Sequence, residues 1–342
     1  MPTTRNVVYL ALFTPYRGES RAESFQSALK NLAACSQLLR TVPRMSDSSF
    51  VPTIEIIDPN AIDDPTIRAE ITAVIWTPTC VRISTSVDVE ARPVEGATRE
   101  LTTDEELMFH TQAAWDDLGE FARDLLLALD VAMPGIFDLN SGYVLQDDVL
   151  YARLPRMQTN LEESLLVSQR MNWPPLEWLE LPSVWSWLSQ DDGFTSRFSS
   201  RPLGRALCAF SFLMSDRPWA AAYISDLLWS MIGLEALYGR GNVDMTNQIV
   251  EKTQLFLGPQ KDFKIDVKKM YHYRSRLLHG DLDFPSAHSG DSDDDFINES
   301  SRAASIAAAI LVSTLQRMAR QNLHALHFHY VLQREESAGA NQ

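Results

Sequence analysis

Residues 261–280 have the sequence KDFKIDVKKMYHYRSRLLHG, and their periodicity decides how the second half of the chain is interpreted. At about 100° per residue, apolar side chains gather on one face of a helix and basic or polar ones gather on the other. The apolar stripe consists of Phe263, Val267, Met270, Leu277 and Leu278. The pattern predicts an amphipathic helix over residues 261–279, which Gly280 ends.

One charged residue interrupts this apolar stripe. A residue of opposite charge interrupts the apolar stripe of a preceding predicted helix. Arg274 lies among the apolar positions, where an unpaired guanidinium would cost several kcal/mol. Glu235 shares a stripe with Met231 and Tyr238 in the preceding predicted helix. We therefore expect Glu235 and Arg274 to pair, largely buried, so that removing one partner costs about 3–5 kcal/mol. An ion pair that only fixes the register of the two helices is the alternative without a functional role.

The remainder of the second half also predicts helices, with short connections and glycines near their ends. The predicted helices cover residues 202–214, 218–238, 245–257, 261–279 and 300–324. The first half is mixed, since its β-branched runs predict strands at residues 6–13, 51–57, 71–76, 80–94 and 143–154. Helices are predicted there over residues 19–39 and 103–129.

These segments predict an α+β N-terminal domain followed by an all-α helical bundle. The chain has 342 residues, which is the length of about two domains. We place the first domain at residues 1–200, the bundle at 201–330 and a flexible tail at 331–342. Three well-separated cysteines and no apolar run of roughly 20 residues favour a cytoplasmic protein without a membrane segment.

Positive charge is concentrated in the second half, although the whole chain has a net charge of −15. Five of the six lysines lie within residues 252–269, namely Lys252, Lys261, Lys264, Lys268 and Lys269. This cluster is either a solvated helix face or an anion-binding surface. If the chain binds RNA, we expect the affinity to reside in residues 252–276, with Lys261, Lys264, Lys268, Lys269 and Arg276 as the RNA-binding residues.

No motif indicates a metal site or a bound cofactor. The sequence lacks the glycine-rich phosphate loop, the dinucleotide-binding GxGxxG and the GxSxG of serine hydrolases. His324, His327 and His329 have a spacing that does not place all three on one helical face. The tryptophans of residues 172–190 are either a stacking platform for bases or, as we favour, packing between the two predicted domains.

Two motifs resemble a known family. RSRLLHG at residues 274–280 is similar to the Arg-x4–6-His signature of the HEPN superfamily, in the RSxxxHG form of its ApeA-like branch. GLEALY at residues 233–238 is similar to the LEALF helix of that branch. The resemblance implies a helical bundle that forms a homodimer with the two motifs facing each other. Many members are metal-independent endoribonucleases that act as toxins or antiviral defence effectors, and others are inactive binding modules.

The resemblance implies roles for four residues, and the side-chain chemistry of these residues agrees with those roles. Arg274 would hold the phosphate, His279 would transfer the proton of the 2′-hydroxyl, and Glu235 would orient Arg274. Ser275 would lie at the edge of the site, where many catalytic members have Asn, Asp or His. In a straight helix, residues five apart diverge by about 140°. The last turn would therefore have to unwind at Gly280, or a second chain would have to complete the site.

The sequence therefore predicts a metal-independent endoribonuclease that cleaves RNA by attack of the 2′-hydroxyl. The N-terminal domain would then be its sensor or regulator, with a regulatory partner of its own. A non-catalytic HEPN module that binds RNA or a partner protein is the main alternative. A nucleotide-binding accessory of a toxin–antitoxin pair is a third alternative, which no sequence feature supports.

Overall fold

The structure is a computed structural model of the chain. It describes residues 4–15, 19–35, 52–72, 79–88, 102–146, 149–154, 161–196, 198–214, 219–241, 244–260, 264–282 and 294–328. The predicted tail at residues 331–342 lies outside these ranges.

The first part of the chain forms an antiparallel sheet of five strands with the order β2-β3-β1-β4-β5. The strands are β1 (Thr4–Pro15), β2 (Thr53–Ile57), β3 (Thr79–Asp88), β4 (Phe137–Gln146) and β5 (Val149–Leu154). Residues 7–13 of the central strand β1 are all buried, which explains their unbroken apolar sequence VVYLALF.

Helices cover both faces of this sheet. Helix α1 (Glu19–Ala34) packs beside β2, and α3 (Thr103–Ala132) lies against β1 and β3. A capping box between Thr102 and Glu105 begins α3. On the other face, α2 (Pro65–Thr72) contributes Ile67 and Ile71 to a smaller apolar cluster.

From residue 161 the described chain is helical. The helices are α4 (Leu161–Met171), α5 (Leu181–Leu188), α6 (Asp192–Thr195), α7 (Pro202–Ser211), α8 (Trp219–Tyr238), α9 (Met245–Leu257), α10 (Lys264–His279) and α11 (Asp294–Arg320). Helix α11 contacts α4, α8, α9 and α10, and its residues 303–316 are all buried. Helices α8 and α10, which carry the two sequence motifs, thus pack against a common helix.

The predicted order of an α+β region followed by helices is confirmed, but several element boundaries were wrong. The strand expected at 71–76 is wrong for its first two residues, which belong to helix α2. Ile67 and Ile71 lie four residues apart on one face of that helix. Residues 73–76 of the expected strand lie outside the described chain. The expected strand 143–154 is divided, because residues 143–146 belong to β4 and residues 149–154 to β5. Helix α11 begins six residues before the expected position 300.

Three of the four tryptophans in residues 172–190 are buried in the core, namely Trp173, Trp185 and Trp187, whereas Trp178 is half exposed. Trp185 and Trp187 are fully buried, and the indole Nε1 of Trp187 donates to the Leu323 carbonyl at 3.0 Å. Trp173 likewise donates to the Gly258 carbonyl at 3.1 Å. One hydrophobic cluster includes residues of the sheet and of the helices, so the contacts run across residue 200. The domain boundary at that residue remains a prediction.

Two glycines bring α6 and α7 into backbone contact. A Cβ added to Gly193 would lie 2.2 Å from the Cα of Gly204, which is far inside any real contact distance. Backbone atoms cannot turn aside as the end of a flexible side chain can. The junction between these two helices therefore has no space for a methyl group.

We predict that Gly193→Ala lowers the free energy of unfolding by about 1–3 kcal/mol, because the added methyl group forces the two backbones apart. Urea denaturation of the purified chain measures this. The control is Gly233→Ala in α8, where the new Cβ would meet the buried side chain of Leu311 at 2.9 Å and no backbone atom. Its gain in helix propensity offsets that contact, so we expect a change within about 1 kcal/mol. Equal effects of the two changes would contradict the interpretation.

Candidate functional site

Helices α8 and α10 bring the two predicted charges together. Arg274 Nη2 lies 3.2 Å from Glu235 Oε1, so the expected contact is present. The two side chains remain 22% and 25% exposed, however, so the pair is half-buried rather than largely buried. Water therefore screens it in part, and losing one partner costs less than the 3–5 kcal/mol of a fully buried pair.

Tyr271 is a third member of this cluster, and the sequence analysis missed it. Its hydroxyl donates to Glu235 Oε1 at 3.4 Å, and the Arg274 guanidinium carbon lies 5.6 Å from the centre of its ring. Burial, followed by the negative charge of Glu235, raises the pKa of Tyr271. The available signal was its position three residues before Arg274, which places both on one helix face. Glu235, Tyr271 and Arg274 are called the α8–α10 cluster below.

His279 is the last residue of α10 and is exposed. Gly280 follows with φ +80°, and the N–H of Asp281 donates to the Arg276 carbonyl at 2.9 Å. This bond is typical of a glycine-terminated helix end, which satisfies carbonyls that the helix leaves free. The helix thus continues through His279, and the unwound last turn considered above is not found.

His279 and Arg274 therefore point in different directions. The spacing of five residues separates them by about 140° around the helix axis. Ser275, four residues before His279, lies on the same face as the histidine and is partly exposed. The structure thus groups Ser275 with His279 and groups Arg274 with Glu235.

The predicted RNA-binding residues divide between two faces of α10. Lys269 and Arg276 line a cleft between α10 and α11, whereas Lys268 is exposed and is absent from the lining of that cleft. Lys264 belongs to α10, but its side chain is outside the described part of the structure, as is the whole of Lys261. Of the lysines whose side chains are described on α10, Lys269 therefore lies at the cleft and Lys268 lies outside its lining.

Lys252 does not belong to an exposed anion-binding surface, which corrects our expectation. Its side chain is buried, and its Nζ donates to the Tyr238 carbonyl at 2.6 Å and to Gln248 Oε1 at 2.7 Å. Burial lowers the pKa of Lys252. The ammonium group satisfies a carbonyl at the C-terminal end of α8, so its role is structural.

His324 and His327 lie after the end of α11 at Arg320, so the helical spacing considered for them does not apply. His324 stacks against Trp187 with ring centres 6.0 Å apart, His327 is exposed, and His329 lies outside the described chain. Within the described ranges, no group of three or more His, Cys, Asp or Glu side chains is placed to hold a metal ion. None of the helices described there is long and apolar enough to cross a membrane.

Comparison with known proteins gives no relative for this chain. No family model matches it, and no curated protein or solved structure is significantly similar to it. Any functional interpretation therefore depends on the site itself and on the two motifs.

We predict that Glu235→Ala and Arg274→Ala each lower the free energy of unfolding by about 1–2 kcal/mol, because each change strands a half-buried partner. A double-mutant cycle measured by urea denaturation should give a coupling energy of about 1 kcal/mol.

The exposed pair Glu120–Arg123 on α3, at 2.9 Å, is the matched control for this cycle. Its side chains are 35% and 54% exposed, so its coupling should be at most about 0.5 kcal/mol. A coupling in the α8–α10 cluster no larger than in this control would show that Glu235 does not hold Arg274.

Proposed function

We propose that the chain is a metal-independent endoribonuclease of the HEPN type that acts as a homodimer. The observation that supports this best is that Arg274 of the α8–α10 cluster and the exposed His279 lie on the same helix, α10. A guanidinium positioned by a carboxylate and a histidine open to solvent are the two groups that metal-free RNA cleavage requires. The resemblance of the RSRLLHG and GLEALY motifs to the family supports the same assignment.

In the proposed reaction, His279 accepts the proton of a ribose 2′-hydroxyl, whose oxygen attacks the adjacent phosphorus. The bond from phosphorus to the 5′-oxygen breaks, and that oxygen takes up a proton from a second His279 or from water. The products carry a 2′,3′-cyclic phosphate and a 5′-hydroxyl. Arg274 donates to the phosphate oxygens while their charge increases, and Glu235 holds its guanidinium in position.

A second copy of the chain resolves the geometric difficulty of this mechanism. Within one chain, Arg274 and His279 diverge by about 140° and cannot both address one phosphate from a regular helix. Two copies related by a two-fold axis can present the arginine of one chain and the histidine of the other to a single cleft. By its resemblance, the chain would be a toxin or defence effector in the cytoplasm, with residues 1–200 as its regulator.

We predict that the purified chain cleaves single-stranded RNA in excess EDTA and leaves the corresponding DNA intact. His279→Ala should lower the cleavage rate at least about a hundredfold, since a positioned acid–base group contributes 10²–10⁴-fold. Gel electrophoresis of end-labelled RNA measures the rate, and mass spectrometry identifies the cyclic phosphate ends.

His327→Ala is the control, because His327 is also exposed but lies beyond α11 and belongs to neither motif. It should leave the rate unchanged within about twofold, since it removes no proposed catalytic group. Cleavage that stops on chelation, or that persists at full rate in His279→Ala, would refute the proposed mechanism.

A second candidate is a non-catalytic module that binds RNA or a protein. The observation that favours it is that Arg274 is already paired with Glu235 inside one chain, on a different face from His279. In that case the α8–α10 cluster only fixes the register of two helices. RNA binding without any cleavage, together with a monomeric chain in solution, would favour this candidate over the nuclease.

A further inference from the structure

A cleft of about 360 Å³ lies between α10 and α11, and neither the α8–α10 cluster nor His279 lines it. Its volume is within the range of small-ligand sites. Three basic or titratable side chains of α10 form one rim, namely Lys269, His272 and Arg276. Their spacing of three and four residues places them in a row on one helix face. The cleft thus has one edge of hydrogen-bond donors.

Two of these donors are available for a ligand. Arg302 of α11 is paired with Asp266 at 3.3 Å, and this pair joins the two helices at one end of the cleft. Neither Lys269 nor Arg276 has a carboxylate partner among the described residues. An ammonium and a guanidinium on one rim are suited to the oxygens of a phosphate group.

The floor of the cleft is apolar. Met270 and Tyr273 of α10 and Ala303 of α11 line it, and each is buried. Burial is also the main reason why the pKa of Tyr273 is raised. The flat face of a nucleobase fits against this floor while the phosphate of the nucleotide remains at the rim.

The opposite rim carries an exposed carboxylate, Glu299. An ionised carboxylate only accepts hydrogen bonds, so it repels a phosphate and attracts hydroxyl or amino donors. Apart from the paired Asp266 and Arg302, the cleft therefore has phosphate-binding donors on its α10 side and a hydroxyl-binding acceptor on its α11 side. A ribonucleotide has this same distribution, with its phosphate at one end and the 2′- and 3′-hydroxyls of its sugar at a distance.

We propose that the α10–α11 cleft binds one ribonucleotide unit, with its phosphate on Lys269 and Arg276 and its ribose hydroxyls on Glu299. The unit is either a free mononucleotide or one nucleotide of an RNA strand. This site is separate from the α8–α10 cluster, because Arg274 faces α8 whereas Arg276 faces α11. The proposal does not depend on cleavage, since binding can be measured in a chain that cuts nothing.

The experiment is a calorimetric titration of the full chain with adenosine 5′-monophosphate, its 2′-deoxy analogue and adenosine. We expect the ribonucleotide to bind at least about tenfold more tightly than adenosine, because adenosine lacks the charge-assisted bonds to the rim. We also expect it to bind more tightly than the deoxy analogue, because Glu299 loses a donor. Equal affinity for all three ligands would overturn the proposal.

The neighbouring lysines of α10 supply a matched pair of variants. Lys269→Gln removes a donor from the cleft, whereas Lys268→Gln makes the same charge change outside its lining. We expect about a tenfold loss of nucleotide affinity in the first variant and less than about twofold in the second. Equal losses in the two variants would show that the nucleotide affinity depends only on the net charge of the helix, and would overturn the proposal.

Two further measurements test the sugar contact and identify the source of the nucleotide. Glu299→Ala should abolish the preference for the ribonucleotide over its deoxy analogue, and an unchanged preference would contradict the contact. A short RNA that displaces the bound mononucleotide would assign the cleft to a strand, and a mononucleotide that RNA does not displace would assign it to a free ligand. Nucleotide binding by a chain that cleaves no RNA would support this inference and leave the proposed cleavage refuted, so the two can fail separately.

Discussion

The packing of α11 is the constraint on which the described structure depends. Fourteen consecutive residues, 303–316, are buried, and many of them are alanine or serine. Small side chains allow neighbouring helices to approach closely, as Gly233 of α8 does at Leu311. Because α8 and α10 both pack on α11, their relative positions are fixed, and the half-buried contact between Glu235 and Arg274 follows from that arrangement.

Much of this arrangement was predictable from the sequence, because burial repeats with the helical period. The charges at Glu235 and Arg274 broke two apolar stripes, and pairing them required only that the two helices be neighbours. The ends of α9 and α10 follow from glycines at Gly258 and Gly280. The central strand β1 was visible as a continuous apolar run, since both of its faces are covered.

The features that could not be predicted depend on which helix packs against which face of a neighbouring helix. Lys252 and Lys268 look alike in the sequence, yet one is buried against the end of α8 and the other is exposed. The α10–α11 cleft likewise arises from two helices that meet only in the folded chain. The segment at 71–76 was ambiguous because short β-branched runs occur in helices as well as in strands.

The bond between Trp187 and the Leu323 carbonyl makes the segment after α11 part of the folded body. Leu323, Leu326 and Phe328 pack against the main core, although no regular helix holds them there. Shortening the chain at Arg320 would leave the buried indole without its acceptor and would uncover the core beneath it. An affinity tag or a fluorescent fusion at the C-terminal side therefore belongs after residue 328. Attached there, it leaves the contacts of Leu323, Leu326 and Phe328 with the core intact.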